Sequence, residues 1–247
     1  MQPELKPFWN RIVNFDWKFG IFLILLICIP RFILVLKASE TGSYSLIGII
    51  MMFSALVPFL FLSKYGRKQI GIRKSKNIYS LIIALLTGVA GSLLLYYLGN
   101  GLYGNSFENW YVYIGKSYQI PEGISVSDKK ILFAVMAITG MTFSPVGEEF
   151  FFRGIVHNSF AKSLGEKKAS FIDSLAFALT HISHFGLVFI NYQWDFYPVP
   201  GTIWVLCMFL ISILFFIMKK FSDSIWGAVF CHSGFNFGMI YCIFYLI

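Results

Sequence analysis

Seven apolar runs partition this chain, at roughly 19–38, 44–62, 78–98, 130–160, 168–185, 201–218 and 224–246. A span must cover a hydrocarbon core of about 30 Å. Inside a bilayer, backbone N–H and C=O groups have no water to bond, so such runs must satisfy themselves as helices. The expected fold is therefore all-α, a polytopic transmembrane helical bundle with about seven spans. Composition agrees: 57% of residues are hydrophobic and 13% are charged, about half the charge of an ordinary soluble domain. With no internal repeat and no flexible linker, residues 1–247 read as a single membrane domain.

The first run, Ile21 to Leu36, is interrupted by Pro30 and Arg31. The following Lys37-Ala-Ser-Glu-Thr lacks an A-x-A cleavage pattern, so the run reads as a retained span rather than a leader. The loop Ser63–Asn77 holds six basic residues and no acid, and Lys162–Lys168 carries three lysines against one glutamate. The positive-inside bias places these loops, with the basic amino terminus, in the cytoplasm. The expected location is the cell membrane, multi-pass, with the amino terminus cytoplasmic and the carboxyl terminus outside. The net charge of +8 does not point to nucleic acid, because the basic residues lie between apolar spans. Trp110, Tyr111 and Tyr113 in the outer loop suit an aromatic belt at the interface. Cys28, Cys207, Cys231 and Cys242 all fall within spans without CxxC spacing, and read as buried thiols.

Between Ile131 and Ala161 the only formally charged residues are Glu148, Glu149 and Arg153. Ionisable groups at membrane depth are costly and mark a partner or a task. Glu149 and Arg153 are four apart and can pair on one helical face, which makes Glu149 a structural partner. Glu148 is rotated about 100° away and points elsewhere. Three of the four histidines sit in apolar spans: His181 and His184 in the fifth run, and His232, which shares a face with Asn236, in the seventh. Carboxylate, imidazole and amide converging from three helices are the parts of a hydrolytic site. The carboxylate suits a general base acting on water. The imidazoles suit either zinc binding or oxyanion stabilisation. A lone membrane histidine is more often a helix-packing hydrogen bonder than a catalyst. His157 reads as a surface residue near the cytoplasmic end, and His184 as an interface or supporting group. Gly227, Gly234 and Gly238 form a close-packing stripe.

The motifs Glu148-Glu149-Phe-Phe-Phe-Arg153, Phe177-Ala-Leu-Thr-His181 and His232-Ser-Gly-Phe-Asn236, in this order and each in an apolar span, resemble those of the CPBP family. This is the family of CAAX prenyl endopeptidases and bacteriocin-processing proteins, also called Abi. The resemblance covers about residues 140–240, the expected catalytic region; earlier residues match only in being helical and apolar. It implies an intramembrane endopeptidase in which Glu148 activates water. His181 and His232 then bind a metal or stabilise the oxyanion, and Asn236 assists. Zinc is the cofactor such a set would take, with His181 and His232 as ligands. No His-Glu-x-x-His signature is present, and a third nitrogen would have to come from His184, which favours the metal-free version. The implied partners are the lipid bilayer and a peptide or membrane-protein substrate, in bacteriocin or signal-peptide maturation or in self-immunity. Two rivals are a non-catalytic peptide-binding or immunity membrane protein and an ion-coupled transporter. The absence of inverted repeats weighs against the transporter.

Overall fold

The computed structural model describes residues 2–121 and 123–247. The chain is nearly all helical. In order, the helices are α1 (Trp17–Thr41), α2 (Ser45–Phe61), α3 (Lys64–Gln69), α4 (Ile78–Tyr103), α5 (Trp110–Ser117) and α6 (Val126–Glu149). A π-helical segment, Phe150–Val156, joins α6 to α7 (His157–Leu164). There follow α8 (Glu166–Thr180), a 3₁₀ turn (His181–Ser183), an antiparallel hairpin of β1 (Leu187–Ile190) and β2 (Gln193–Phe196), α9 (Pro198–Ser222) and α10 (Ile225–Tyr245). Among the described residues five helices are long and apolar enough to cross a membrane: α1, α4, the continuous stretch Val126–Leu164, α9 and α10. The other two expected spans are short. Helix α2 has 17 residues, about 26 Å at 1.5 Å per residue. Helix α8 has 15 residues and carries Glu166, Lys167, Lys168 and Asp173.

Helix α10 is the axis of the bundle. It is buried along 78% of its apolar stretch, against 39% or less for the other four spans. Its most extensive packing is on α4, followed by α6 and α9. Glycine permits the closest approach. A Cβ on Gly234 would collide with the Leu85 carbonyl of α4, and one on Gly88 with the Cys231 carbonyl of α10. Gly238 faces Ser92 in the same seam, whereas Gly227 packs against the end of α9. Both colliding partners are backbone, so neither site relaxes cheaply. Gly88→Ala and Gly234→Ala are each expected to lower stability by about 1–3 kcal/mol. Gly101→Ala is the control, since nothing lies near a Cβ there. Thermal melts in detergent that leave all three variants alike would contradict the packing.

Leucine, isoleucine and phenylalanine side chains such as Phe22, Leu25, Ile29 and Ile33 of α1, and Leu206 and Leu210 of α9, are exposed. They form the apolar outer face that lipid requires. The aromatic belt expected at Trp110, Tyr111 and Tyr113 is not found: all three are buried. Helix α5 folds back into the bundle, where Trp110 meets Trp204 and Phe185, and Tyr111 bonds the Ser92 carbonyl at 2.7 Å. The four cysteines are buried free thiols, as expected.

Charge separates cleanly between the two ends of the bundle. At one end lie Lys6, Arg11 and Lys18, the six basic residues of 63–77, then Lys162, Lys167, Lys168, Lys219 and Lys220. These segments are knitted together. Lys6 N–H bonds the Phe61 carbonyl at 2.9 Å, and Ile225 N–H bonds the Gly71 carbonyl at 2.9 Å. Asp223 pairs with Lys76 and Arg73, which hold its carboxyl below the usual range. At the opposite end only Lys37, Lys116, Lys129 and Lys130 are basic.

Candidate active site

Pro145 explains how α6 is gripped. A proline has no N–H, so it leaves the carbonyl four residues earlier without a helical partner. That carbonyl belongs to Met141, and Ser233 of α10 donates to it at 2.6 Å. One residue before it, the Gly140 carbonyl accepts from Asn236 Nδ2 at 2.9 Å. Helix α6 is thus pinned to α10 about two turns before its two glutamates. Beyond them the helix widens into the π form, a local distortion that recurs at functional sites.

Glu148 is 2% exposed. Its Oε1 accepts from Ser144 Oγ, and its Oε2 lies 3.0 Å from Arg31 Nη1 of α1 and 3.9 Å from His181 Nε2. His181 sits where α8 ends and the 3₁₀ turn begins. Its Nδ1 lies 2.7 Å from the Phe177 carbonyl. A carbonyl can only accept, so Nδ1 carries the proton and the neutral ring presents a bare Nε2 to Glu148. The Trp204 indole N–H fixes this turn by donating to the His181 carbonyl at 3.0 Å. His184 stacks near His181, with centroids 5.3 Å apart.

Glu149 turns the other way, as the 100° rotation requires. Its Oε2 meets Arg153 Nε at 3.2 Å and its Oε1 meets His232 Nδ1 at 2.8 Å. Arg153 donates from Nη2 to Ser212 Oγ at 2.6 Å and lies over the Phe177 ring at 4.3 Å. Phe215 stacks on the His232 ring at 4.6 Å. The expected Glu149–Arg153 pair is present, but it does more than join two turns: it also holds His232. Glu148, His181, His232 and Asn236 line one cavity of about 510 Å³, with His184 and Arg31. The two glutamates, the histidines and Asn236 are therefore brought together from α6, α8 and α10.

Two expectations change. His157 is not on the surface: it is 1% exposed, with Nδ1 on Asp173 at 2.6 Å and its ring against Phe216 at 4.6 Å. Asp173 is buried beside it, so the pair ties α7 to α8. Arg31, on the other hand, was legible only as a break in the first apolar run. The signal was there, because an arginine within an apolar span is costly enough to require a partner.

A bound zinc at His181 and His232 fits this donor set poorly. Among the described residues no group of three or more His, Cys, Asp or Glu is placed to hold a metal. His232 Nδ1 is engaged by Glu149, and the Arg31 guanidinium occupies the cation position on Glu148.

Residues 130–238 match the family described as type II CAAX prenyl endopeptidase Rce1-like. Over this stretch the chain is similar to the CPBP/CAAX protease family. Comparisons with curated proteins and with solved structures gave no match. The matched region runs from the first turns of α6 to Gly238 in α10, so it contains every site residue above except Arg31. That side chain reaches the site from α1, outside the matched stretch.

Proposed function

We propose that the chain is a multi-pass intramembrane endopeptidase in which Glu148 activates water for attack on a peptide bond. The observation that carries this reading is the 3.9 Å gap between Glu148 Oε2 and His181 Nε2 over an apolar cavity. Two acceptors face each other there. A single water donating to both, at about 2.8 Å each, spans that gap. On attack, the water oxygen bonds the carbonyl carbon and its proton passes to Glu148. As the C–N bond breaks, Glu148 returns the proton to the leaving amine. Arg31 is a positioning residue that anchors one oxygen of Glu148. His232, held at the cavity wall by Glu149 through Nδ1, is placed to serve the oxyanion. Asn236 keeps one amide hydrogen beyond its bond to Gly140 for the same task. The chain lies in the cell membrane with its basic end, including the amino terminus, in the cytoplasm. The substrate is a peptide or a membrane-associated protein, with maturation of a bacteriocin or signal peptide, or self-immunity, as the biological setting the resemblance implies.

The test is cleavage of a peptide library by proteoliposomes, read by mass spectrometry. Chelation with EDTA or phenanthroline is expected to leave the rate within about twofold, because Arg31 fills the cation position. Loss of activity on chelation, restored by zinc, would show that a metal displaces Arg31. One observation favours a second reading, a peptide-binding or immunity protein: Glu148 is already paired with Arg31, as a structural ion pair would be. That reading expects peptide binding without cleavage.

A further inference from the structure

We infer that Lys219 of α9 is a positioning residue for the proposed site. Its ammonium holds the π register of Phe150–Val156 and, through Arg153 and Glu149, the place of His232. The inference rests on the proposed function and adds a residue outside the three motifs. In an α-helix the His157 N–H would bond the carbonyl four residues back, that of Arg153. Here it bonds the carbonyls of Phe152 and Gly154 and passes over Arg153. The carbonyl passed over accepts from Lys219 Nζ at 2.5 Å. The next one, on Gly154, also accepts from Asn158 Nδ2 at 2.8 Å. Side chains therefore take two successive carbonyls of the segment. All seven of its residues are buried, so a carbonyl freed there would need a new donor from the protein. The nearest in sequence is the His157 N–H, and its return to Arg153 would rewind the segment to the α form.

The register matters because α9 grips Arg153 twice. Ser212 and Lys219 are seven apart, so they share a face of α9. Ser212 Oγ accepts from the Arg153 guanidinium at 2.6 Å, and Lys219 holds the carbonyl of the same residue. Between these two bonds the side chain is set to meet Glu149 Oε2 at 3.2 Å, and Glu149 meets His232 Nδ1 at 2.8 Å. Closing the helical ring over four residues instead of five would rotate Arg153 relative to Glu149 and slacken that chain of contacts. Lys219 is itself firmly placed. Asp223, in the left-handed region at φ +52°, caps α9 with its N–H on the Lys219 and Lys220 carbonyls. Ser224 N–H and Ser222 Oγ donate to the Lys219 carbonyl at 3.2 and 3.3 Å. Its neighbour Lys220 behaves as an ordinary basic residue of this end, exposed and 3.3 Å from Glu166. The Lys219 ammonium instead makes its one hydrogen bond among the described residues to a neutral backbone carbonyl. Its use as a donor, rather than as a charge, sets it apart.

The experiment uses the full chain in detergent with ¹⁵N in its histidine rings. There are four histidines, and His232→Gln identifies the resonances of His232. Lys219→Met is expected to shift the His232 Nδ1 resonance, whereas Lys219→Arg, which keeps a donor, and Lys220→Met, which removes a charge from the same end, leave it in place. In the peptide-cleavage assay Lys219→Met is expected to lose about 10²-fold in kcat with KM within about twofold, and Lys219→Arg to recover most of the rate. An unmoved His232 resonance in Lys219→Met, even with a lowered melting temperature, would reduce Lys219 to a packing residue and overturn the inference. So would an equal shift in Lys220→Met, which would make the effect one of net charge. If Lys219→Met does not accumulate, Lys219→Gln, uncharged and one bond shorter, is read by the same criterion. A shifted resonance in Lys219→Met, together with no cleavage by the unsubstituted chain, would sink the protease reading and leave the hold of Lys219 on His232 standing.

Discussion

Glu148→Gln is expected to slow peptide cleavage by about 10²–10⁴-fold, the usual worth of a positioned general base. The amide retains the shape and still bonds Ser144, but it cannot take a proton from water. A loss of rate alone is ambiguous, because the substitution also strips Arg31 of its charge partner in a site where Arg31 is 3% exposed. Breaking a buried pair on one side costs about 3–5 kcal/mol when nothing else compensates. The double variant Glu148→Gln, Arg31→Gln separates the two effects. It removes both charges and is expected to recover most of the lost thermal stability while remaining inactive. Activity regained together with stability would reduce Glu148 to a structural anchor. Full cleavage by the single Glu148→Gln variant would remove the water-activating role outright and direct attention to Glu149.

Arg153→Ala is expected to be the most destabilising single change in the site, at about 3–5 kcal/mol. Both Arg153 and Glu149 are 0% exposed, so no solvent reaches the carboxylate left behind. The loss propagates, because the same carboxylate holds His232 Nδ1. Glu149→Gln should therefore resemble Arg153→Ala in lowered yield and melting temperature, and also in lowered rate. Pairing Glu149→Gln with Arg153→Met should be milder than Arg153→Ala alone in a double-mutant cycle. Additive losses in that cycle would mean that the two charges do not stabilise each other.

Much of the site was legible because its chemistry is local in sequence. Glu149 and Arg153 are four apart. His232 and Asn236 are four apart, and both lie in an apolar run where polar groups stand out. Rotation by 100° between neighbours was enough to separate the directions of Glu148 and Glu149. Non-local pairing was not legible. Nothing near Arg31 announces Glu148, 117 positions later, and nothing near His157 announces the buried Asp173. Hydropathy also ranks residues without saying what covers them. Trp110, Tyr111 and Tyr113 score as interface aromatics, yet α5 folds inward and buries them.

The bonds from Ser233 and Asn236 to α6 also set a limit on how the chain can vary in length. They clamp the carbonyls of Met141 and Gly140, and the two glutamates follow within eight residues. One residue inserted or deleted between the clamp and Glu148 turns everything beyond it by about 100° and shifts it by 1.5 Å. Glu148 would then leave Arg31 and His181, and Glu149 would leave His232, although every motif residue would still be present. Before Gly140 the contact with α10 is aromatic instead, with Phe133 against Phe237, Tyr241, Phe244 and Tyr245. The spacing from Gly140 to Glu148 acts as a ruler, and its length is part of the site.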